Sequence, residues 1–169
     1  MSKVEVKESL INGLGVFSLG YLPKGEAVLM IDDSRKVTVN LPLDESKGEF
    51  EYHCDYLANE VVLMQYPERH INHSCDPNTF VRTILGIRYV FALRPILPGE
   101  EITYDYCING FGNIVWKCNC GCPRCRENVH SDFFHLPFET QVEYLPLLDD
   151  WYIDAHGEKV QYLLNQEKM

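Results

Sequence analysis

The chain lacks the apolar runs that membrane spanning and secretion require. None of its hydrophobic stretches approaches the roughly 20 residues of a membrane helix. Its first ten residues, MSKVEVKESL, contain no apolar segment of the kind found in secretory signals. We therefore expect an intracellular protein without a membrane partner, and nothing in the sequence distinguishes nucleus from cytoplasm.

Basic residues are scarce. Fifteen Lys and Arg residues stand against 25 Asp and Glu residues, which gives a net charge of −10. This charge disfavours direct binding to nucleic acid phosphates and favours a basic protein partner. Residues 127–169 carry nine acidic residues against two lysines, a net charge of −7. A solvated face that keeps the protein soluble explains that tail equally well.

Internal repeats are absent, which argues against a solenoid. The 169 residues suit one domain with a buried core. Short β-branched or aliphatic segments bounded by Gly and Pro predict strands in the first two-thirds of the chain. These are VEVK (4–7), AVLMI (27–31), KVTVN (36–40), EVVLMQY (60–66), TFVRTI (79–84) and IRYVFALR (87–94).

The C-terminal part of the chain has a helical pattern instead. Residues 136–148, LPFETQVEYLPLL, place Pro137 where a helix can begin and Pro146 where it breaks. Apolar side chains at helical spacing predict a second helix over residues 156–166. The expected architecture is an irregular all-β body, a cysteine-rich segment and a small acidic helical tail.

Seven cysteines are many for a reducing compartment, where disulfides are rare and clustered cysteines usually hold metal. They are Cys54, Cys75, Cys107, Cys118, Cys120, Cys122 and Cys125. The last four lie within eight residues, so their thiolates can converge on one tetrahedral metal ion. The spacing is not a pair of C-x2-C units, and a further ligand from a distant segment is expected to complete the tetrahedron. Free cysteines without metal are the alternative.

The segment at residues 71–79, INHSCDPNT, is unusually polar. Four of its side chains compete with the backbone for hydrogen bonds, and its proline removes a donor. His73 and Cys75 lie among them. Cys75 is therefore the natural candidate for the distant ligand of the cysteine cluster.

Four motifs occur in a fixed order along the chain. GLGVFS (13–18) alone indicates only a tight turn, and it lacks the third glycine of a dinucleotide-binding fingerprint. Together with RHINHSCDPN (69–78), GEEITYDY (99–106) and CNCGCPRC (118–125), it resembles the SET-domain protein-lysine methyltransferases that carry a post-SET zinc segment. The resemblance covers residues 4–126.

The resemblance implies a mainly β SET fold, with small curved sheets around a knot-like substructure and short C-terminal helices. It divides residues 4–126 into a SET domain (4–106) and a post-SET zinc-binding segment (107–126). The charge and the helical pattern then predict an acidic helical tail (127–169). The cysteine-rich pre-SET region that is common in histone H3 lysine-9 enzymes has no counterpart here.

The resemblance also implies roles for individual residues. S-adenosylmethionine would be contacted by Leu14, Gly15, Phe17, Arg69, Asn72, His73 and Tyr106. One structural zinc ion would be bound by Cys75, Cys118, Cys120 and Cys125. Cys122 is an extra thiol and an alternative to Cys120 or Cys125. Tyr106 would be the catalytic tyrosine.

The implied reaction is methyl transfer from S-adenosylmethionine to the ε-amine of a lysine in a basic protein, with histones among the family's usual targets. Tyr104, two residues before Tyr106, would restrict the product to monomethyl-lysine unless it merely packs. Other aromatic residues, namely Tyr52, Tyr56, Phe111 and Trp116, would line the channel or belong to the core.

Two other functions are consistent with parts of the pattern. A catalytically silent SET fold could bind basic peptides, but such a module has no need to retain Asn72, His73 and Tyr106 together. A zinc-bearing nucleic-acid module is suggested by the cysteine cluster alone, and the net charge of −10 argues against it.

Overall fold

Short strands dominate the computed structural model, which describes residues 2–167. The strands are β1 (Val4–Glu8), β2 (Leu14–Ser18), β3 (Ala27–Met30), β4 (Lys36–Val37), β5 (Cys54–Leu57), β6 (Glu60–Leu63), β7 (Asn72–His73), β8 (Thr79–Ile84), β9 (Ile87–Ala92), β10 (Glu101–Tyr104), β11 (Val115–Lys117) and β12 (Asn128–His130). Two α-helices follow, α1 (Phe138–Tyr144) and α2 (Asp150–Glu167). The mainly β prediction is confirmed.

The strands form small sheets rather than one large one. Their orders are β1-β2-β10-β7, β3-β9-β8, β4-β6-β5 and β11-β12. The β8–β9 hairpin turns at Leu85 and Gly86, both with positive φ (52° and 79°). Two such residues match the right-handed twist of the flanking strands, which explains the tight turn at this point.

Strands β7 and β10 bring two sequence motifs together. They pair in parallel, with Thr103 opposite Asn72 and Tyr104 opposite His73. The side chain of Asn78 holds this arrangement: its Nδ2 donates to the Glu101 carbonyl oxygen at 2.7 Å, and its Oδ1 accepts from the Thr103 N–H at 2.8 Å. The polar segment 71–79 therefore supplies hydrogen-bond partners for backbone N–H and C=O groups where the two motifs lie side by side.

Two hydrophobic cores stabilise the molecule. The first fills the β body and includes Val16, Val90 and Ile102, all fully buried. The second joins the cysteine-rich segment to the C-terminal helices around Phe133 and Tyr152, which are also fully buried. The acidic tail therefore packs against the cysteine-rich segment over a shared core, and β11 and β12 link the two in a further sheet.

The C-terminal helices confirm one prediction and correct another. Helix α1 begins directly after Pro137, as predicted. Helix α2 begins at Asp150, six residues before the predicted start at residue 156, and its backbone is non-helical at His156. The Asp149 carboxylate accepts a hydrogen bond from the Asp150 N–H at 3.0 Å. Asp149 was the overlooked start signal, because aspartate is favoured directly before a helix, and its carbonyl oxygen accepts from the N–H groups of Tyr152 and Ile153.

The predicted strands differ from the observed ones mainly in their ends. KVTVN (36–40) supplies only the two-residue β4, because the backbone turns back at Thr38, which exchanges hydrogen bonds of 3.1 Å with Leu41. Strands β2, β5, β7, β10, β11 and β12 were not predicted. Within residues 2–167, no helix has the length and apolar character that crossing a membrane demands.

Candidate active site and cysteine cluster

A cavity of about 810 Å³ opens where the Asn-His and Tyr-Asp-Tyr segments meet. Arg69, Asn72, His73, Tyr104 and Tyr106 all line it, so the structure brings together five of the predicted site residues. The motifs that contribute them are separated by about thirty residues in the chain but adjacent in the β7–β10 pair.

The other three predicted cofactor residues lie on the neighbouring strand β2. Leu14, Gly15 and Phe17 are not among the described residues that line the cavity. A Cβ atom on Gly15 would lie 2.3 Å from Glu101 Oε1 and 2.9 Å from Ser9 Cβ, so a larger residue would displace both side chains. The close packing of β2 against Glu101 therefore explains this glycine within the protein itself.

Asn72 ties the glycine loop to the cavity. Its Nδ2 lies 3.0 Å from the Leu14 carbonyl oxygen, 3.2 Å from that of Asn12, and 2.8 Å from Glu101 Oε1. Asn12 itself lines the cavity. The buried amide of Asn72 thus fixes the loop between β1 and β2 against β7.

Tyr106 is held at both ends. Its hydroxyl donates a 2.8 Å hydrogen bond to the Ile71 carbonyl oxygen, and its backbone N–H donates to His73 Nδ1 at 3.1 Å. Desolvation, with added repulsion from Asp55 and Glu101, raises the pKa of Tyr106 well above its usual range. The hydroxyl therefore stays protonated at physiological pH.

His73 links the cavity to the cysteine cluster. Burial lowers the pKa of His73 to about 4, so its ring is neutral at physiological pH. Because Nδ1 accepts the Tyr106 N–H, the ring proton belongs to Nε2. Nε2 lies 3.3 Å from the Sγ atom of Cys75, to which it donates.

Four thiols converge next to this histidine. The Sγ atoms of Cys75, Cys118, Cys120 and Cys125 all lie within 4.8 Å of one another, and those of Cys75 and Cys118 are 3.8 Å apart. Zinc–sulfur bonds of about 2.3 Å in a tetrahedron separate the sulfurs by about 3.8 Å. These four side chains therefore fit a tetrahedral zinc ion in both chemistry and spacing.

Cys122 lies outside this group of four, although its Sγ is 3.5 Å from that of Cys120. Burial opposes ionisation of Cys120, but hydrogen bonds from the backbone N–H groups of Cys75 and Cys122 and from neighbouring thiols outweigh it and lower its pKa to about 6. The lowered pKa favours the thiolate form of Cys120, which is the form that binds metal.

Two site residues were missed in the sequence. Asp105 is fully buried between the two tyrosines of its motif, and its carboxylate oxygens lie 2.9 and 2.8 Å from Arg126 Nη2. A carboxylate inside the Tyr-Asp-Tyr motif and an arginine directly after the last cysteine were the available signals. A buried acid requires such a partner.

Aromatic side chains surround the cavity. Tyr52, Tyr56, Phe111 and Trp116 all line it, in line with the expected channel wall, and the first three are exposed rather than core residues. The Trp116 ring lies 5.4 Å from that of His73 and 6.0 Å from that of Tyr106, centroid to centroid. The C-terminal tail adds Trp151 to the wall.

Comparison with known proteins decides the family. The SET-domain family model matches residues 13–107. This chain belongs to the SET-domain family. Human histone-lysine N-methyltransferase 2B is 34% identical over 139 residues, which cover 73% of this chain and 5% of that protein. Histone-lysine N-methyltransferase Set2 of Drosophila melanogaster is 31% identical over 126 residues, covering 68% of this chain and 5% of the relative. The chain thus spans about a twentieth of the length of these relatives.

Solved structures share the SET fold. KRYPTONITE, crystallised with mCHH DNA, an H3(1–15) peptide and SAH, superposes with a TM-score of 0.57 and 25% identity, over 75% of this chain and 29% of that one. The methyltransferase domain of human SETMAR superposes with the same TM-score at 20% identity, over 76% of this chain and 58% of that one. The second likeness supports the fold alone.

Proposed function

We propose that this SET domain transfers a methyl group from S-adenosylmethionine to the ε-amine of a lysine in a basic protein, with histones as the first candidates. The observation that carries the proposal is the meeting of Tyr106 with Asn72 and His73 in one cavity. The names of the relatives, all histone-lysine N-methyltransferases, support the substrate class. The net charge of −10 favours a basic substrate.

S-adenosylmethionine would supply the methyl group. Arg69 lies on the cavity wall, and its Nε donates to His70 Nε2 at 3.4 Å. It has no carboxylate partner within residues 2–167, so it would suit the carboxylate of the methionine moiety. Asn72 and His73 would hold the cofactor beside it, and the resemblance adds Leu14, Gly15 and Phe17 on the adjacent strand. Tyr106 would complete the contact surface.

The substrate amine must lose its proton before it can attack. With an ordinary pKa near 10.4, about one lysine in a thousand is neutral near pH 7.4. Deprotonation of the amine at that pH therefore costs about 4 kcal/mol. An aromatic channel lowers this pKa because it desolvates the ammonium group. Tyr56, Phe111 and Trp116 would provide such a wall.

Tyr106 would orient the amine rather than deprotonate it. The hydroxyl proton is committed to the Ile71 carbonyl oxygen, so the lone pairs of the oxygen are free to accept an N–H of the amine. Its raised pKa is consistent with this role, because a protonated phenol is not a base. Alignment and transition-state hydrogen bonding would supply the rate enhancement.

We further propose that the product is mainly monomethyl-lysine. Tyr104 lines the cavity beside Tyr106, and its hydroxyl makes no hydrogen bond to any described residue. The Tyr104 hydroxyl is therefore free to form a hydrogen bond with the amine or with a water molecule. Either would occupy the space that a methylated nitrogen needs in order to rotate back into line for a second transfer. Loss of a pocket the size of one water molecule is enough to limit the number of methyl groups added to the lysine.

The same proposal assigns residues 4–106 to the SET domain and 107–126 to a post-SET segment with one structural zinc. Cys75, Cys118, Cys120 and Cys125 would hold the ion, which would fix this segment against the cavity. Residues 127–169 would form an acidic tail that supports the segment through their shared core.

A labelling experiment tests the activity. The purified zinc-loaded protein is incubated with S-adenosylmethionine carrying a labelled methyl group and a mixture of core histones and other basic proteins. We expect label on lysine side chains. Binding of basic peptides without any transfer would instead indicate a silent binding module.

A further inference from the structure

Four polar contacts join the cysteine cluster to the backbone around Tyr106. On one side, His73 Nε2 lies 3.3 Å from Cys75 Sγ while His73 Nδ1 accepts the Tyr106 N–H at 3.1 Å. On the other side, the Arg126 N–H donates to the same sulfur at 3.4 Å while Arg126 Nη2 donates to Asp105 Oδ1 at 2.9 Å. The contacts form a closed ring, since Asp105 precedes Tyr106 in the chain.

Asp105 also holds Cys107, the residue that follows Tyr106 in the chain. Asp105 Oδ1 accepts a hydrogen bond from the Cys107 N–H at 3.0 Å. The carboxylate is fully buried, and the Arg126 side chain is only 16% exposed. A buried ion pair keeps its geometry because separating the charges leaves each without solvent.

The position of this closed ring of polar contacts depends on the cysteine cluster. Cys75 Sγ accepts from both His73 and Arg126, and it is also one of the four thiols that fit zinc. Arg126 directly follows Cys125, another of the four. Displacement of the cluster must therefore move both Arg126 and His73, the two residues that hold the backbone at Tyr106.

We propose that Asp105 and Arg126 are positioning residues, which transmit the geometry of the cysteine cluster to Tyr106 without touching the substrate. The inference rests on the proposed methyl transfer and deepens it, because it names the route by which the post-SET segment controls turnover. A misplacement of the tyrosine hydroxyl would lower the rate of the chemical step and leave peptide binding almost intact.

Variants of the ion pair test the route. Arg126→Gln and Asp105→Asn each leave one charge unpaired, whereas the double variant Asp105→Asn/Arg126→Gln replaces the ion pair with two neutral amides that can still bond. Arg126→Lys restores the charge but not the planar fork. Arg124→Gln is the matched control, because Arg124 lies in the same segment and pairs with the exposed Glu143.

We expect the double variant to keep one zinc ion per chain and a peptide KM near that of the wild type. Its kcat should fall by ~10- to 100-fold, and Arg126→Lys should recover part of the loss. Backbone amide exchange should accelerate at Tyr106 and Cys107. Arg124→Gln should match the wild type in every measurement.

Two results overturn the inference. One is a double variant with wild-type kcat and wild-type amide exchange at Tyr106. The other is loss of zinc in the double variant, which would make the ion pair a support of the metal site alone. If the wild type methylates nothing, the proposed function fails, and amide exchange still decides whether Arg126 positions Tyr106.

Discussion

The rings of Tyr104 and Tyr106 lie 5.0 Å apart, centroid to centroid, with an angle of 48° between their planes. The two hydroxyls differ in their partners. That of Tyr106 donates to the Ile71 carbonyl oxygen, whereas that of Tyr104 has no hydrogen-bond partner among the described residues. This difference fits the two proposed roles, in which Tyr106 orients the amine and Tyr104 limits the space around it.

Tyr106→Phe should lower turnover by ~10²-fold or more, because it removes one transition-state hydrogen bond. Cofactor affinity should change little, whereas the free energy of unfolding should fall by roughly 1–3 kcal/mol because the Ile71 carbonyl oxygen loses its donor. Tyr162→Phe, an exposed position on α2, is the control and should leave turnover unchanged. Near-normal turnover of Tyr106→Phe would shift the chemistry to another tyrosine, with Tyr104 the first candidate.

The pH dependence of the rate follows from the raised pKa of Tyr106. The rate should rise with pH, because the substrate amine loses its proton, and no change in Tyr106 ionisation should interrupt that rise near neutrality. The residual activity of Tyr106→Phe should therefore show a profile of the same shape. Loss of the rising limb in this variant would mean that Tyr106 acts as the base.

Tyr104→Phe should shift the product from monomethyl-lysine toward di- and trimethyl-lysine. The substitution removes an oxygen and frees about the volume of one water molecule beside the amine. Mass spectrometry of a methylated peptide measures the distribution. Abundant trimethyl-lysine from the unmodified enzyme would contradict the proposed restriction.

Cys75→Ser should lose zinc and weaken cofactor binding, although Cys75 lies more than 40 residues from Cys118 in the chain. Thiolate zinc sites contribute on the order of 10 kcal/mol of apparent binding free energy in small peptides, so the cysteine-rich segment should loosen when the proposed zinc site is lost. Cys122→Ser is the control and should keep one zinc per chain. If metal analysis finds one zinc per chain in Cys75→Ser and none in Cys122→Ser, Cys122 is the fourth ligand.

Gly110→Ala should destabilise the protein by roughly 1–3 kcal/mol, the usual cost of overpacking. An added Cβ would lie 2.1 Å from the Ser131 carbonyl oxygen and 2.6 Å from that of Tyr106, and backbone atoms cannot turn aside. Gly20→Ala, where no atom lies within 4 Å, is the matched control. Denaturant unfolding of the zinc-loaded proteins compares the two, and equal stability would show that the backbone around Gly110 can move to accept a Cβ atom.

Much of the site could be predicted from the sequence because its motifs carry their chemistry locally. The mainly β fold and the β8–β9 turn follow from residue types and from turn formers at Leu85-Gly86. The convergence of Cys75 with the C-terminal cysteines was inferred from spacing, and the geometry agrees with it.

The remaining features depend on contacts between distant segments. Strand β7 has only two residues and no strand pattern, and it exists because β10 pairs with it. The Asp105–Arg126 ion pair joins residues that are 21 positions apart, and neither residue indicates its partner. Likewise, Trp151 reaches the cavity only because the tail packs on the cysteine-rich segment.

The most direct test of the account uses two matched histone H3 peptides, one with its natural lysines and one with every lysine replaced by arginine. Each is incubated with zinc-loaded protein and S-adenosylmethionine and then analysed by mass spectrometry. We expect the lysine peptide to gain the mass of one methyl group on a lysine side chain, and the arginine peptide to gain none. Methyl transfer to neither peptide, while S-adenosylmethionine binds in the cavity, would contradict lysine methylation of histones by this protein.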